Sequence, residues 1–181
     1  VCEMTLTNKI EEVDILFLCL PHQESRNWLN ENPLKEDVLV IDLGNDFRLE
    51  SDFQSRNFIY GLPELHKNKL KSAKSIANPG CFATAIQLAL LPLAQKKLLA
   101  AIYTTGITGA TGAGQSLSLT THFSWRNDNI SAYKSLNHQH VDEILKSLIQ
   151  ANEKEINLHF IPWRGDFARG IFTSSIIKCD L

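Results

Sequence analysis

The sequence lacks most of the features that mark specialised classes of protein. No apolar stretch approaches the roughly 20 residues of a membrane-spanning helix, so we expect no membrane association. Positive charge is not in excess, since 18 Lys and Arg against 20 Asp and Glu give a formal charge of −2, and we expect no nucleic-acid partner. The first residues carry no signal-peptide pattern, and Val1 stands where an initiator methionine would be. We therefore interpret the chain as a fragment of a larger protein.

Cysteine pairs with CxxC spacing are also missing. The four cysteines, Cys2, Cys19, Cys81 and Cys179, are scattered along the chain, which argues against a zinc site. We expect no metal site of any other kind. Scattered cysteines in a chain of this length indicate reduced thiols and a cytoplasmic protein. Cys19 and Cys179 lie in apolar runs, and we expect both to pack in the core.

What the sequence does contain is the pattern of an ordinary globular protein, with 44% hydrophobic and 21% charged residues among 181. Its first part has continuous apolar runs of the kind found in strands that are buried on both faces of a parallel sheet. We predict strands at 13–20, 38–42 and 74–77 and a short helix at 23–30. The polar segment 50–71 reads as loop. This order predicts an α/β domain over residues 1–80, the later part of a Rossmann-type sheet.

The second part, residues 81–181, reads as an α+β domain for catalysis, substrate binding and dimerisation, incomplete at its C-terminus. We predict helices at 83–97 and from an Asn137 N-cap to about 151, and strands at 101–106, 158–162 and 170–178. A glycine-rich loop occupies 106–114. Residues 115–137 are polar and irregular.

Cys81 has the most informative position in the chain. A strand-like approach meets the turn Asn78–Gly80, and a helix-like run follows at once. A cysteine at the start of a helix faces unpaired N–H groups and the positive end of the helix dipole, which favour a thiolate. The same N–H groups could hold the oxyanion of a carbonyl under attack. By itself the position is equally compatible with a structural cysteine.

Two histidines, His138 and His140, mark the beginning of the later helix. Two residues apart on a helix, they should point in different directions, which argues against a metal pair. His140 shares an inward stripe with Ile144 and Leu148. It is either a packed core histidine or the acid/base partner of Cys81.

The glycine-rich loop from Gly106 to Gly114 is a weak dinucleotide fingerprint, because no clear helix follows it. It could be a tight loop at a strand edge. Alternatively, its N–H groups could face an anionic substrate.

Other candidate residues end predicted strands or accompany acidic neighbours. Arg48 follows a strand and could either pair with a nearby aspartate or hold an anion. Arg164 and Arg169 flank Asp166, and one of them could either form an internal ion pair with Asp166 or clamp a carboxylate or phosphate. His22 ends another strand and reads as a loop residue.

Several motifs together resemble those of the N-acetyl-gamma-glutamyl-phosphate reductases. These are LPH at 20–22, DLGNDFRL at 42–49, YGLPEL at 60–65, NPGCFATA at 78–85, GITGATGAG at 106–114, AYK at 132–134, HQHVDEI at 138–144 and RGI at 169–171. They occur in the family's order over most of residues 13–175. One departure is Gln139, where the family has arginine.

The resemblance implies NADPH-dependent reduction of an acyl phosphate to a semialdehyde, with Cys81 as nucleophile and His140 as acid/base. The substrate-binding residues that it implies are Asn78, Arg48, Gly112, Gly114, His138 and Arg169. The cofactor-binding residues are Leu20, Pro21, His22 and Gly109. It also implies NADP(H) as cofactor, a small-molecule substrate and a homo-oligomer, either dimer or tetramer. The alternatives are an aspartate-semialdehyde dehydrogenase or a cofactor-independent Cys/His hydrolase.

Overall fold

The computed structural model describes Ile10, residues 12–114 and residues 116–179. The chain divides between Asn78 and Pro79 into two compact units. Cys2 lies outside the described residues. Among the described helices, none is long and apolar enough to cross a membrane.

The first unit is built on a four-stranded parallel sheet with the order β1-β2-β6-β5. The strands are β1 (Ile15–Leu18), β2 (Leu39–Asp42), β5 (Ile59–Tyr60) and β6 (Ser75–Ala77), with a hairpin of β3 (Asp52–Phe53) and β4 (Arg56–Asn57). Helix α1 spans Glu24–Glu31 and helix α2 spans Pro63–Leu70. Val40 and Ala77 are fully buried in the core, where Phe47 stacks on Phe58 with ring centroids 3.7 Å apart.

Three predictions for this unit were wrong. Segment 50–71 contains α2 and three short strands rather than a loop alone. Strand β1 is not buried on both faces, because Ile15 is 50% exposed and Phe17 is 57% exposed. Cys19, which was expected in the core, is also exposed.

The second unit is a mixed sheet with the order β10-β7-β9-β8. Its strands are β7 (Leu99–Thr108), β8 (Ser131–Ala132), β9 (Asn157–Arg164) and β10 (Ile171–Cys179). The central strand β7 runs parallel to β9 and antiparallel to β10. The helices are α3 (Cys81–Ala94), the single turn α4 (Phe123–Arg126) and α5 (His140–Asn152). The predicted combination of an α/β sheet and an α+β unit is confirmed.

The two faces of this mixed sheet differ sharply. Helices α3 and α5 pack together and against one face, where Ile102 and Phe160 are fully buried. The opposite face carries Tyr103, Phe172 and Ile176, which are 54%, 63% and 74% exposed. The strand residues alternate between these faces, as the period of a β-strand requires.

The start of α5 differs from the prediction. The helix begins at His140 and its N-cap is Gln139, so Asn137 is not the cap. His138 therefore precedes the helix, and helical geometry does not govern the relation between the two histidines. Cys179, expected in the core, is only half-buried at the end of β10.

Candidate active site

The candidate nucleophile stands at the junction of a strand and a helix. Strand β6 ends at Ala77, Gly80 is the extended N-cap with φ −68° and ψ 153°, and Cys81 is the first residue of α3. Thr84 N–H donates the first helical hydrogen bond to the Gly80 carbonyl, at 2.8 Å. The N–H groups at the very start of the helix thus have no acceptor within it. The exposed Cys81 thiol is accessible next to these donors.

A buried carboxylate anchors this turn to α5. Glu143 is 3% exposed, and its Oε1 accepts a hydrogen bond from Gly80 N–H at 2.8 Å. The bond connects residues 63 positions apart and fixes the peptide directly before Cys81. Sequence reasoning did not single out Glu143, although its place three residues after His140, on the same side of a helix, was an available signal.

The two histidines lie together rather than apart. Their ring centroids are 4.8 Å apart, both side chains are buried, and His140 N–H donates to His138 Nδ1 at 3.2 Å. Both rings pack against the ring of Phe82, the residue after Cys81. The centroid-to-centroid distances are 5.8 Å for His138 and 6.5 Å for His140. The prediction of different directions was wrong because His138 is outside the helix. The structure therefore brings both predicted histidines to the residue next to the nucleophile.

The environment of His138 favours its neutral form. Burial, followed by the nearby His140 and Lys134, lowers the pKa of His138 to about 4, and Glu143 opposes this only in part. Because Nδ1 accepts the backbone N–H, the proton of the neutral ring sits on Nε2. At neutral pH His138 is therefore an uncharged donor through Nε2.

Tyr133 and two arginines continue this cluster. The Tyr133 ring lies 5.6 Å from that of His138, and Arg164 stacks over it with Cζ 4.1 Å from the ring centroid. Arg126 Nη2 donates to the Gly165 carbonyl at 2.7 Å. Burial raises the pKa of Tyr133, and the Cys81 charge adds to the shift, while Arg164 and Arg126 oppose it. Nothing in the polar stretch 115–137 had singled out Arg126.

The structural alternative for Arg164 is not observed. Among the described residues Arg164 makes no ion pair with Asp166, whose Oδ2 instead accepts from Asp128 N–H at 2.7 Å. Arg169 is exposed just before β10, and its side chain makes no hydrogen bond within the part of the chain that is described. Arg164, not Arg169, thus contacts the cluster beside Phe82.

The glycine-rich loop packs on the segment that precedes β10. Ala110 N–H donates to the Phe167 carbonyl and Thr111 N–H to the Ala168 carbonyl, at 2.8 and 3.0 Å. A Cβ at Gly109 would meet backbone atoms of this segment within 2.9 Å. Packing alone therefore requires the glycine there. The predicted roles of Gly109, Gly112 and Gly114 toward cofactor and substrate stay predictions.

The candidates in the first unit have different surroundings. Arg48 is buried and donates to the carbonyl oxygens of Asn78 and Leu43, at 2.9 and 3.3 Å. It therefore ties together the ends of β2 and β6. The segment 20–22 follows β1 at the carboxyl edge of the parallel sheet. A surface groove of ≈ 540 Å³ adjoins it, lined in part by Leu20, Pro21 and Glu24. No group of three metal-ligating side chains occurs among the described residues.

Comparison with known proteins agrees with both units. Residues 81–180 match the family described as semialdehyde dehydrogenase, dimerisation domain. Residues 1–73 match semialdehyde dehydrogenase, NAD binding domain.

Similar full-length proteins carry the name that the motifs suggested. The N-acetyl-gamma-glutamyl-phosphate reductase of Flavobacterium johnsoniae is 52% identical over 98% of this chain and 56% of its own length. That of Phocaeicola vulgatus is 49% identical over 94% of this chain and 53% of its own length. The chain thus spans a little more than half the length of these relatives.

Solved structures share the fold at low identity. Aspartate semialdehyde dehydrogenase II of Vibrio cholerae superposes with a TM-score of 0.68 at 15% identity, over 92% of this chain and 56% of its own. The enzyme of Candida albicans, solved with NADP, has a TM-score of 0.63 at 17% identity, over 91% of this chain and 50% of its own. The resemblance inferred from the motifs is confirmed, and the chain belongs to the semialdehyde dehydrogenase family.

Proposed function

We propose that the full-length protein reduces N-acetyl-gamma-glutamyl phosphate to the semialdehyde, with release of phosphate and with NADPH as reductant. The observation that carries this proposal is the exposed Cys81 at the start of α3, with the paired histidines against the adjacent Phe82. The relatives named for this reaction support the choice of substrate.

The first step is attack by the Cys81 thiolate on the acyl phosphate carbonyl. The C–S bond forms, the carbonyl oxygen takes up negative charge, and the N–H groups at the start of α3 are placed to stabilise it. When the carbonyl reforms, the C–O bond to phosphate breaks and a thioester on Cys81 remains. Glu143 holds the preceding Gly80 peptide, so the sulfur keeps its direction through this step.

His140 is the acid/base group in this proposal. A semialdehyde forms only when the C–S bond breaks and a proton moves between oxygen and a base, and imidazole suits this transfer near neutral pH. His138 accepts the His140 N–H and remains neutral, so it positions His140 and can contribute one Nε2–H donor to substrate.

Segment 20–22 is the part of the first unit that fits a dinucleotide. It follows a parallel strand at the carboxyl edge, where α/β sheets bind ligands, and adjoins the groove at Leu20, Pro21 and Glu24. Arg26 is the arginine nearest to this segment in sequence, but its side chain already donates to the carbonyl oxygens of Asp46 and Glu50. We therefore do not assign it to the cofactor. When bound, NADPH supplies the hydride that reduces the thioester.

The open face of the mixed sheet is the surface on which we expect a second copy to dock. It exposes Tyr103, Phe172 and Ile176, more apolar side chain than a solvated sheet face needs, in the segment that matches a dimerisation domain. Sedimentation of an Ile176→Lys variant tests this, since a charge there should lower the association constant. A full-length variant that sediments as the wild type would contradict it.

The function is tested by replacing Cys81 with serine in the full-length protein. We expect turnover to fall by at least about 10⁴-fold, because a neutral hydroxyl cannot form the intermediate at a useful rate. NADPH binding, measured by fluorescence titration, should be retained.

Cys179→Ser is the matched control, since Cys179 lies in β10 of the same unit and should tolerate the change. A Cys81→Ser variant that turns over as fast as the wild type would overturn the proposal. Activity without any nicotinamide would favour the hydrolase, and preference for aspartyl phosphate would favour the aspartate-semialdehyde enzyme.

A further inference from the structure

One side chain of the second unit carries a buried charge with unused hydrogen-bonding capacity. Arg126 is 9% exposed, and within the described residues its side chain makes one hydrogen bond, from Nη2 to the Gly165 carbonyl. Its Nη1 is buried with no hydrogen-bond partner in the described part of the chain. Neither an acidic side chain nor a further carbonyl within that part satisfies this guanidinium.

A buried guanidinium with an unused N–H is energetically costly, because removing its hydration is compensated only by a partner. Buried arginines are therefore normally paired, often bidentately, with a carboxylate or a phosphate. An unused Nη1 on a side chain that is itself buried indicates that the partner is a ligand.

A second arginine adjoins the same point. Arg164 immediately precedes Gly165, whose carbonyl binds Arg126, and Arg164 stacks on Tyr133. Stacking leaves the guanidinium edge available, since the N–H groups lie in the plane of the group. Arg164 makes no hydrogen bond or ion pair through its side chain to any described residue. Both arginines act electrostatically on Tyr133, so two cations with spare donors lie near the same ring.

The contacts connect these cations to the nucleophile. Tyr133 lies against His138, and His138 lies against Phe82, the neighbour of Cys81. No carboxylate is hydrogen bonded to either arginine within the described residues. The region is thus cationic and is linked through Tyr133 and His138 to the residue beside the thiol.

We propose that Arg126 and Arg164 form an oxyanion subsite that holds an anionic group of the substrate, either the phosphate or a carboxylate. This rests on the function proposed above and deepens it. Neither arginine belongs to the motifs that identified the family. Arg126 supplies a fixed buried donor, and Arg164 supplies an adjustable one over Tyr133.

Anion binding is measured first, without turnover. Inorganic phosphate and N-acetyl-L-norvaline, whose only charged group is a carboxylate, are titrated by calorimetry into the full-length protein and its Arg126→Gln and Arg164→Gln variants. We expect the dissociation constant of one of the two anions to rise by about tenfold or more in each variant, as for loss of a charge-assisted hydrogen bond. Weaker binding of phosphate would show that the subsite holds the phosphate group of the substrate. Weaker binding of N-acetyl-L-norvaline would show that it holds a carboxylate.

The control is Lys96→Gln, which removes an exposed cation beyond the far end of α3. It should leave both dissociation constants unchanged. If Arg126→Gln does not fold, Arg126→Lys keeps a donor for Gly165, and Arg164→Gln remains decisive because it breaks no hydrogen bond.

Unchanged binding of both anions in both arginine variants would overturn the subsite, as would an effect confined to Arg169→Gln. Failure of the proposed function is distinguishable from this. If Cys81→Ser retained turnover while Arg126→Gln lost anion binding, the reaction would be wrong and the subsite would stand.

Discussion

The arginines of the two units are used in opposite ways. In the first unit Arg26, Arg48 and Arg56 each donate to at least two backbone carbonyl oxygens. In the second, Arg126 binds one carbonyl and Arg164 rests on an aromatic ring. The same residue type thus connects loops in the first unit and keeps donors available in the second. Under the proposed function, the second unit is the one whose arginines keep donors available for an anionic substrate.

The largest expected effect comes from breaking a connecting arginine. Arg48→Met should lower the free energy of unfolding by about 3–4 kcal/mol, because two charge-assisted hydrogen bonds from this buried guanidinium to the Asn78 and Leu43 carbonyls are lost. Arg164→Met should cost less than about 0.5 kcal/mol, since it breaks no hydrogen bond. Denaturant unfolding of both variants measures the difference, and equal losses would contradict the comparison.

Acid should lower the stability of the second unit through the buried side chain of His138. The pKa of His138 is about 4 in the folded protein because of burial, against about 6.5 when unfolded. Between these values the unfolded chain binds a proton that the folded chain does not, so this contribution is complete above pH 6.5 and is lost toward pH 4.

His138→Asn should remove about 2 kcal/mol of that acid-dependent loss, since Asn can still accept the His140 N–H. The measurement is urea unfolding at pH 7 and at pH 4.5. His22→Asn, at an exposed loop position, should behave as the wild type. A parallel loss of stability in His138→Asn would show that another group titrates.

The next prediction concerns the hydrogen bond by which the Glu143 carboxylate holds the peptide before Cys81. Glu143→Leu should reduce kcat by about tenfold with little change in KM, because Gly80 N–H loses its acceptor and Cys81 its fixed direction. Glu143→Gln should restore much of this, since the amide oxygen still accepts. Equal kcat values for the two variants, both folded by circular dichroism, would assign Glu143 a different role.

The smallest effect is expected at the more exposed connecting arginine. Arg26 donates to Asp46 and Glu50 carbonyls but is only partly buried, so water can replace it in part. Arg26→Met should therefore cost about 1 kcal/mol in unfolding free energy. A loss of unfolding free energy as large as that of Arg48→Met would show that the burial of the arginine does not determine the size of the loss.

The sequence predicted the elements that carry apolar runs or stripes and missed the short or polar ones. Strands β1, β2, β6, β7, β9 and β10 and helices α1, α3 and α5 follow apolar runs or stripes, and each was placed within a few residues. Helix α2 has no buried residue, so no apolar period marked it, and the Pro63 at its first position was the remaining signal.

The site was predictable where a motif lies on a regular element. Cys81 at a strand–helix junction and His140 on an inward stripe were found in this way. The contact between His138 and His140 was missed because it depends on where α5 begins. Arg126 was missed because its proposed role rests on burial and an unused Nη1, which a polar stretch of sequence does not reveal.

The hydrogen bond from Gly80 to Glu143 also bears on the order of events during synthesis. Strand β7 cannot complete its sheet until β10, 63 or more residues later, has left the ribosome. Contacts so distant in sequence close slowly, because the intervening chain must first lose its freedom. The peptide before Cys81 gains its acceptor only after residue 143 has emerged. The Cys81 thiol is therefore synthesised before the carboxylate that fixes the peptide preceding it.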